Sequence, residues 1–368
     1  MIPSGERTDP WPFKKLAEAW WTGGSGVYDV DLNPSEEQQQ LIDAFAAFYT
    51  KECPTERVRD AEPSGHDAEL WARLREMGVL DMAVDQQSGG WGASLLDLAL
   101  VAEQHGRHLG PAPLVEGQVA ARLLARAGGP VAVDALSRSL ADGRLTTIAL
   151  HPPKNGVLAL VPTGAVADEV IFCDGGRLMS MEIADRQVIS NLGSMPVADI
   201  AVNSSAMELQ PGEQAQPLFE WARDEWMVLM ANALLGMGAR SLELAVEYVK
   251  ERRAFGAPIG SFQAVAHGLA NAATAVDGSR LIAREAAWAA DEDEPRATEL
   301  ACLACGFCSE AARDASYRSL HYHGGYGFML EFDTQLYYRR AKAWPAVFGE
   351  PSRMFARSAA HRLIRSDG

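Results

Sequence analysis

Glu251-Arg252-Arg253-Ala254-Phe255-Gly256-Ala257-Pro258-Ile259-Gly260-Ser261-Phe262-Gln263 closes one long apolar segment and opens the next. Upstream, residues 221–254 read as a long helix, apolar on one side, that stops at Phe255-Gly256. Downstream, residues 261–290 and 296–321 carry two more long helical patterns. Long helices joined by short connections pack antiparallel, so residues 217–368 are expected to form a helical bundle.

Working back from that bundle, residues 143–216 change character. Short β-rich runs at 145–150, 157–161, 169–172 and 200–202 are broken by Pro152-Pro153, Asn155-Gly156, Pro162, Gly164 and Gly175-Gly176. This punctuation predicts a small, mostly antiparallel β domain. Residues 31–142 return to helical spacing. Asn33-Pro34-Ser35-Glu36-Glu37 marks a helix start, with a capping residue, a first-turn proline and acids at the positive end of the dipole. A second helix runs over 69–77 to a stop at Gly78, a loop follows at Ser88-Gly89-Gly90-Trp91-Gly92, and a third helix covers 95–106. Residues 1–30 carry Trp11, Phe13, Trp20, Trp21 and Tyr28 among Gly and Pro, and read as an arm packed on the body or on a partner.

Composition narrows the function. The 368 residues carry a formal net charge of -16 and a sequence pI near 5.0, which argues against a nucleic-acid partner. At 48% hydrophobic the chain has enough apolar material for a sizeable core. No apolar run is long enough to span a bilayer, and the N-terminal stretch has no secretory h-region. Five irregularly spaced cysteines read as free thiols. A soluble, cytoplasmic protein is the expectation.

The motifs of the C-terminal half, taken in order, resemble those of the acyl-CoA dehydrogenases. The 251–263 stretch matches the family's link between two long helices. His323-Gly324-Gly325-Tyr326-Gly327-Phe328 is similar to its Gly-rich turn, and Tyr338-Arg339-Arg340-Ala341-Lys342 to the approach to its active-site loop. Leu70-Trp71 through Gly78, Gly89-Gly90-Trp91-Gly92, and Glu103 through Gly110-Pro111 fit its N-terminal domain. The resemblance implies a mainly α fold with an N-terminal helical domain, a middle β domain and a C-terminal four-helix bundle. It also implies flavin adenine dinucleotide as cofactor and an acyl-CoA thioester as substrate. The candidate cofactor residues are Arg252, Phe255, Gln263, His321, Gly324 and Gly325. An arginine offers planar, permanently charged donors to phosphate, and paired glycines let backbone approach a dinucleotide.

The family removes the thioester's α-proton with a glutamate while a hydride leaves the β-carbon for the flavin. Here both positions that the resemblance assigns to that base are apolar. Six residues past Lys342 stands Phe348, and the alternate site early in the long helix is Trp226, followed by Met227. Glu350, Glu225 and Glu247 are the nearest acids to consider as replacements. The β-domain motifs that contact a subunit's own flavin are not apparent over residues 145–168, and Glu350 replaces the threonine of the family's Gly-Thr-Ser.

The losses are one-sided. Elements that the family lends to a neighbour's flavin survive; elements that hold a subunit's own flavin do not. The resemblance therefore extends to the degenerate subunits of mixed actinobacterial enzymes of steroid side-chain breakdown. It implies a tetramer of two such chains with two copies of a catalytic acyl-CoA dehydrogenase paralogue. The alternatives are a non-catalytic scaffold of the same fold, and a homotetramer using Glu350 or Glu225 as base. Cys302, Cys305 and Cys308 lie at iron–sulfur spacing but on a predicted helix with no fourth cysteine close by, so they read as core thiols. His321 and His323 lack an evident third ligand, so no metal is expected.

Overall fold

The computed structural model describes residues 31–210 and 212–366. The aromatic arm over 1–30 lies outside the described residues. The first helix, α1 (Glu36–Glu52), starts at Ser35 rather than at Asn33. Ser35 Oγ accepts from the Gln38 amide at 3.2 Å while Gln38 Oε1 accepts from the Ser35 amide at 3.1 Å, a reciprocal box that Asn33 has no partner to form. Then come α2 (Thr55–Asp60), α3 (Ala68–Glu76, capped by Asp67) and α4 (Leu95–Arg107). Next are α5 (Leu114–Ala127) and α6 (Gly129–Ser137), which runs into a π turn at Arg138–Asp142. The sequence reading missed α5 and α6; α5 is buried almost all round, so it has no polar stripe to reveal its period.

The middle region holds two small sheets. One has the order β1 (Thr146–Ile148), β3 (Glu169–Asp174), β4 (Arg177–Glu182), β7 (Met207–Gln210); the other has β2 (Val157–Val161), β6 (Ala198–Ala201), β5 (Arg186–Val188). Pairing is antiparallel except between β1 and β3, which register Thr146 on Glu169 in parallel. The strands β4, β5 and β7 were not foreseen. They are short and carry Arg, Gln, Glu and Met, so propensity alone does not declare them.

The bundle is built on α7 (Ala215–Glu251), about 55 Å long at 1.5 Å per residue. It is not apolar on one side only, because residues 225–239 are buried almost without a break. The reason is position: α7 packs on α4 and α5 on one flank, and on α8 (Gln263–Asp291) and α9 (Ala297–Tyr322) on the other. Close approach of α4 and α7 depends on two glycines. A Cβ on Gly106 would stand 1.8 Å from Ala233 O, and one on Gly236 would stand 2.0 Å from Glu103 O. The helices α10 (Thr334–Ala343) and α11 (Pro351–Ser366) complete the C-terminal region, α11 lying along α9 as the fourth helix of the bundle. No helix among the described residues is long and apolar enough to cross a membrane.

Candidate functional site

Four elements meet where the expected base positions lie. Trp226 on α7 is fully buried, and its ring stacks on Phe348, with centroids 5.8 Å apart and planes 15° from parallel. Phe348 follows the 3₁₀ turn Pro345–Val347 and is itself buried. The Arg223 guanidinium lies over its ring at 5.0 Å, and the His151 ring is 6.1 Å away. From α5, Glu116 accepts a hydrogen bond from Trp226 Nε1 at 3.0 Å, and the Thr163 side chain bonds the same carboxyl. Burial pushes the Glu116 carboxyl above the ordinary range, against the pull of those hydrogen bonds. A separate small cavity, about 30 Å³, is lined by Glu116, Thr163, His105, Met230, Arg340 and Trp344, and neither Trp226 nor Phe348 lines it. That is room for one or two waters, not for a thioester.

Each candidate base has a defined place in the structure. Glu225 is 2% exposed and held by Arg122. Arg122 Nε donates to both carboxylate oxygens at 3.0 and 2.8 Å, and Nη2 donates to Oε1 at 2.7 Å. Burial drives this carboxyl upward despite Arg122, whose guanidinium engages both of its oxygens. Glu247 is exposed and lies 3.5 Å from Arg240. Glu350 is exposed and lines a cleft that does not include Trp226 or Phe348. Arg339 and Arg340, within the motif leading to Phe348, converge on Glu62, so their work is structural. Burial alone would raise the Glu62 carboxyl, but the two guanidiniums hold it below the usual range.

The predicted cofactor residues lie elsewhere, at one end of the bundle. After α7, β8 (Arg253–Ala254) and β9 (Ala257–Pro258) form a hairpin whose tip residues, Phe255 and Gly256, have φ of 53° and 85°. That is the geometry of a tight primed turn, which puts Phe255 97% exposed. The 3₁₀ turn Gly324–Phe328 ends α9 nearby: His323 stacks on Tyr248 of α7 at 4.0 Å, and a Cβ at Gly268 of α8 would touch the Tyr322 hydroxyl. Arg252, Gln263, His321, Gly324 and Gly325 are all exposed. The Arg252 guanidinium has no partner among the described residues, and a Cβ on either glycine would meet nothing within 4 Å. His321 stacks on Tyr317 at 5.9 Å. The surface continues into Phe328 and Leu330, 71% and 75% exposed.

An open backbone and an unpaired guanidinium fit the phosphates of a flavin approached from outside. The position expected to support the chain's own flavin instead carries the Glu350 carboxylate, which does not fit a pyrophosphate. Cys302, Cys305 and Cys308 are buried along α9, and burial raises their thiols, to about 12 for Cys302 and Cys308. Among the described residues no group of three metal-ligating side chains gathers. The sequence reading missed Glu116: a lone acid in an apolar helix carries no signal until its contacts with Trp226 and Thr163 are known.

Comparison with known proteins fits this geometry. Residues 35–144 match the acyl-CoA dehydrogenase N-terminal domain, and residues 219–361 match its C-terminal domain. The chain belongs to the acyl-CoA dehydrogenase family. Acyl-CoA dehydrogenase IpdE2 of Mycobacterium tuberculosis is 30% identical over 331 residues, spanning 89% of this chain and 97% of the relative. The fold is shared with the ChsE4–ChsE5 complex of Mycobacterium tuberculosis (TM-score 0.82, 24% identity, 91% of this chain and 99% of that one). It is also shared with the FAD complex of PigA (TM-score 0.79, 20% identity, 90% of this chain and 100% of that one).

Proposed function

We propose that this chain is the non-catalytic subunit of a mixed acyl-CoA dehydrogenase, lending residues to a flavin held by a catalytic paralogue. The observation that carries the reading is the stacked Trp226–Phe348 pair, two buried rings where the resemblance expects a base. In the same chain Arg252, Gln263, Gly324 and Gly325 stay exposed, and Phe255 projects from a tight turn. The assignment of these residues and His321 to the cofactor rests on the family resemblance. It is supported by Arg252's lack of a side-chain partner among the described residues and the open backbone at the glycine pair. Bound flavin adenine dinucleotide would supply the hydride acceptor for α,β-desaturation of an acyl-CoA thioester. This chain's part is to neutralise phosphate with Arg252 and to cover cofactor with Phe255 and the glycine turn. A two-chain assembly is in keeping with the ChsE4–ChsE5 complex, whose fold this chain shares. The division into an arm over 1–30 and domains at 31–142, 143–216 and 217–368 is part of the same proposal.

Visible spectra test it. The chain expressed alone should be colourless, and should turn yellow when co-expressed with a paralogue that keeps its glutamate. One flavin per chain in the isolated protein would refute the reading. In the mixed complex, Arg252→Ala should lower flavin occupancy; unchanged occupancy would reduce this chain to a scaffold.

A further inference from the structure

A second cleft includes Gly349, Glu350 and Pro351, where the family resemblance expects support for the chain's own flavin, and shares no residue with the Arg252 surface. It is about 420 Å³ and opens between the loop carrying Leu192, helices α9 and α10, and the start of α11. That volume is within the roughly 300–1,000 Å³ of small-molecule sites. Its floor is apolar, including Leu192, Ala341, Ala343 and Pro345. Two cations, Arg313 and Lys342, also line it, and neither side chain has a hydrogen-bonding or ion-pair partner among the described residues. Arg339 lines it too, but is committed to Glu62, Gln335 and Leu192 O. Glu350 is the opposing charge, next to the N-terminus of α11, whose dipole adds positive potential. On a chain of net charge -16, unpaired cations over an apolar floor are a local reversal of sign.

We infer that this cleft binds a small organic anion: a carboxylate on an aromatic or alicyclic body, its charge between Arg313 and Lys342 and its ring on the apolar floor. The inference rests on the proposed function, since Glu350 stands where the family supports a chain's own flavin and the cleft is open to another anion only when that flavin is absent. Nor is it a base site, for Glu350 is a carboxylate set against the ligand's own charge. That carboxylate gives the proposal a signature with two signs. Removing the cations weakens binding, and removing the acid strengthens it.

The experiment is calorimetric titration of the full-length chain with 2-naphthoate, and with 2-naphthalenemethanol as its neutral counterpart. Naphthoate is expected to bind once per chain, and the alcohol at least about tenfold more weakly. Replacing both Arg313→Gln and Lys342→Gln should weaken naphthoate by about tenfold or more, whereas Glu350→Gln should tighten it several-fold. All three side chains are exposed, so the variants leave the core intact. Val133→Ser, at an exposed position on α6 outside the cleft, should leave naphthoate affinity unchanged. Absence of saturable binding, or affinity indifferent to the double variant, would overturn the proposal. Stoichiometric displacement of naphthoate by flavin mononucleotide would overturn it as well. That last result alone would also count against the donor-only reading, so the two failures are distinguishable.

Discussion

Glu225→Ala and Glu225→Gln, set against the double variant Glu225→Leu with Arg122→Met, separate a structural ion pair from a catalytic carboxylate. In the folded chain Arg122 makes three hydrogen bonds to Glu225 and one, at 3.3 Å, to Ala83 O. Its ring neighbour Trp221 lies 5.7 Å away. Deleting the carboxylate strands a buried guanidinium, a loss of about 3–5 kcal/mol. Glu225→Gln keeps one acceptor and the volume, so the loss falls to about 1.5–3 kcal/mol, the scale of charged hydrogen bonds. Pairing Glu225→Leu with Arg122→Met removes both charges and should recover most of the lost stability, since buried pairs replaced by apolar groups are often neutral. Denaturant unfolding of the isolated chain gives the three free energies. Thioester-dependent dye reduction by the mixed complex gives the activity. The ion-pair reading requires the double variant to be both stable and active in the complex. A double variant that folds normally yet abolishes turnover would restore Glu225 as the base.

The remaining expectations concern the filled interior. Phe348→Glu should not restore dehydrogenation. It loses a buried ring, a change on the scale of about 3–5 kcal/mol for truncation to alanine, and places a carboxylate where Trp226 and Arg223 now close the space; flavin reduction by the isolated variant would contradict this. Glu116→Gln keeps an acceptor for Trp226 Nε1 and removes a carboxyl whose folded pKa is raised by burial. A raised carboxyl binds its proton more tightly when folded, so the wild type loses stability as pH climbs from about 4.3 through the folded value. Thermal melts across that window should therefore favour Glu116→Gln increasingly at higher pH, and a constant difference would be against the assignment. Gly236→Ala should cost at least about 1–3 kcal/mol in unfolding free energy, because its Cβ falls 2.0 Å from Glu103 O; a neutral substitution would mean the helices separate freely.

Much of this protein is local and therefore legible in the chain. Turn chemistry at Phe255-Gly256, the glycine pair at 324–325 and the β-rich run at 157–161 each fall where nearest-neighbour physics puts them. The family follows from their order. So does the apolar character of the two positions where the resemblance expects a base, because Trp226 and Phe348 are identities read from the sequence. Contacts across the sequence are another matter. That the two replaced positions stack on one another, that Glu116 reaches Trp226 from 110 residues away, and that Arg122 captures Glu225 from 103 residues away are decided by helix packing. The long helix α7 shows the difference most plainly. Its sequence predicts one apolar side, whereas α4 and α5 on one flank and α8 and α9 on the other bury it nearly all round. The sequence by itself determined the family, the long helices of the bundle and the residue types at the expected base positions, because those depend on residue type and short-range spacing. Only the tertiary structure decided that Trp226 and Phe348 stack on one another in a buried space, because that depends on which distant side chains share the same volume.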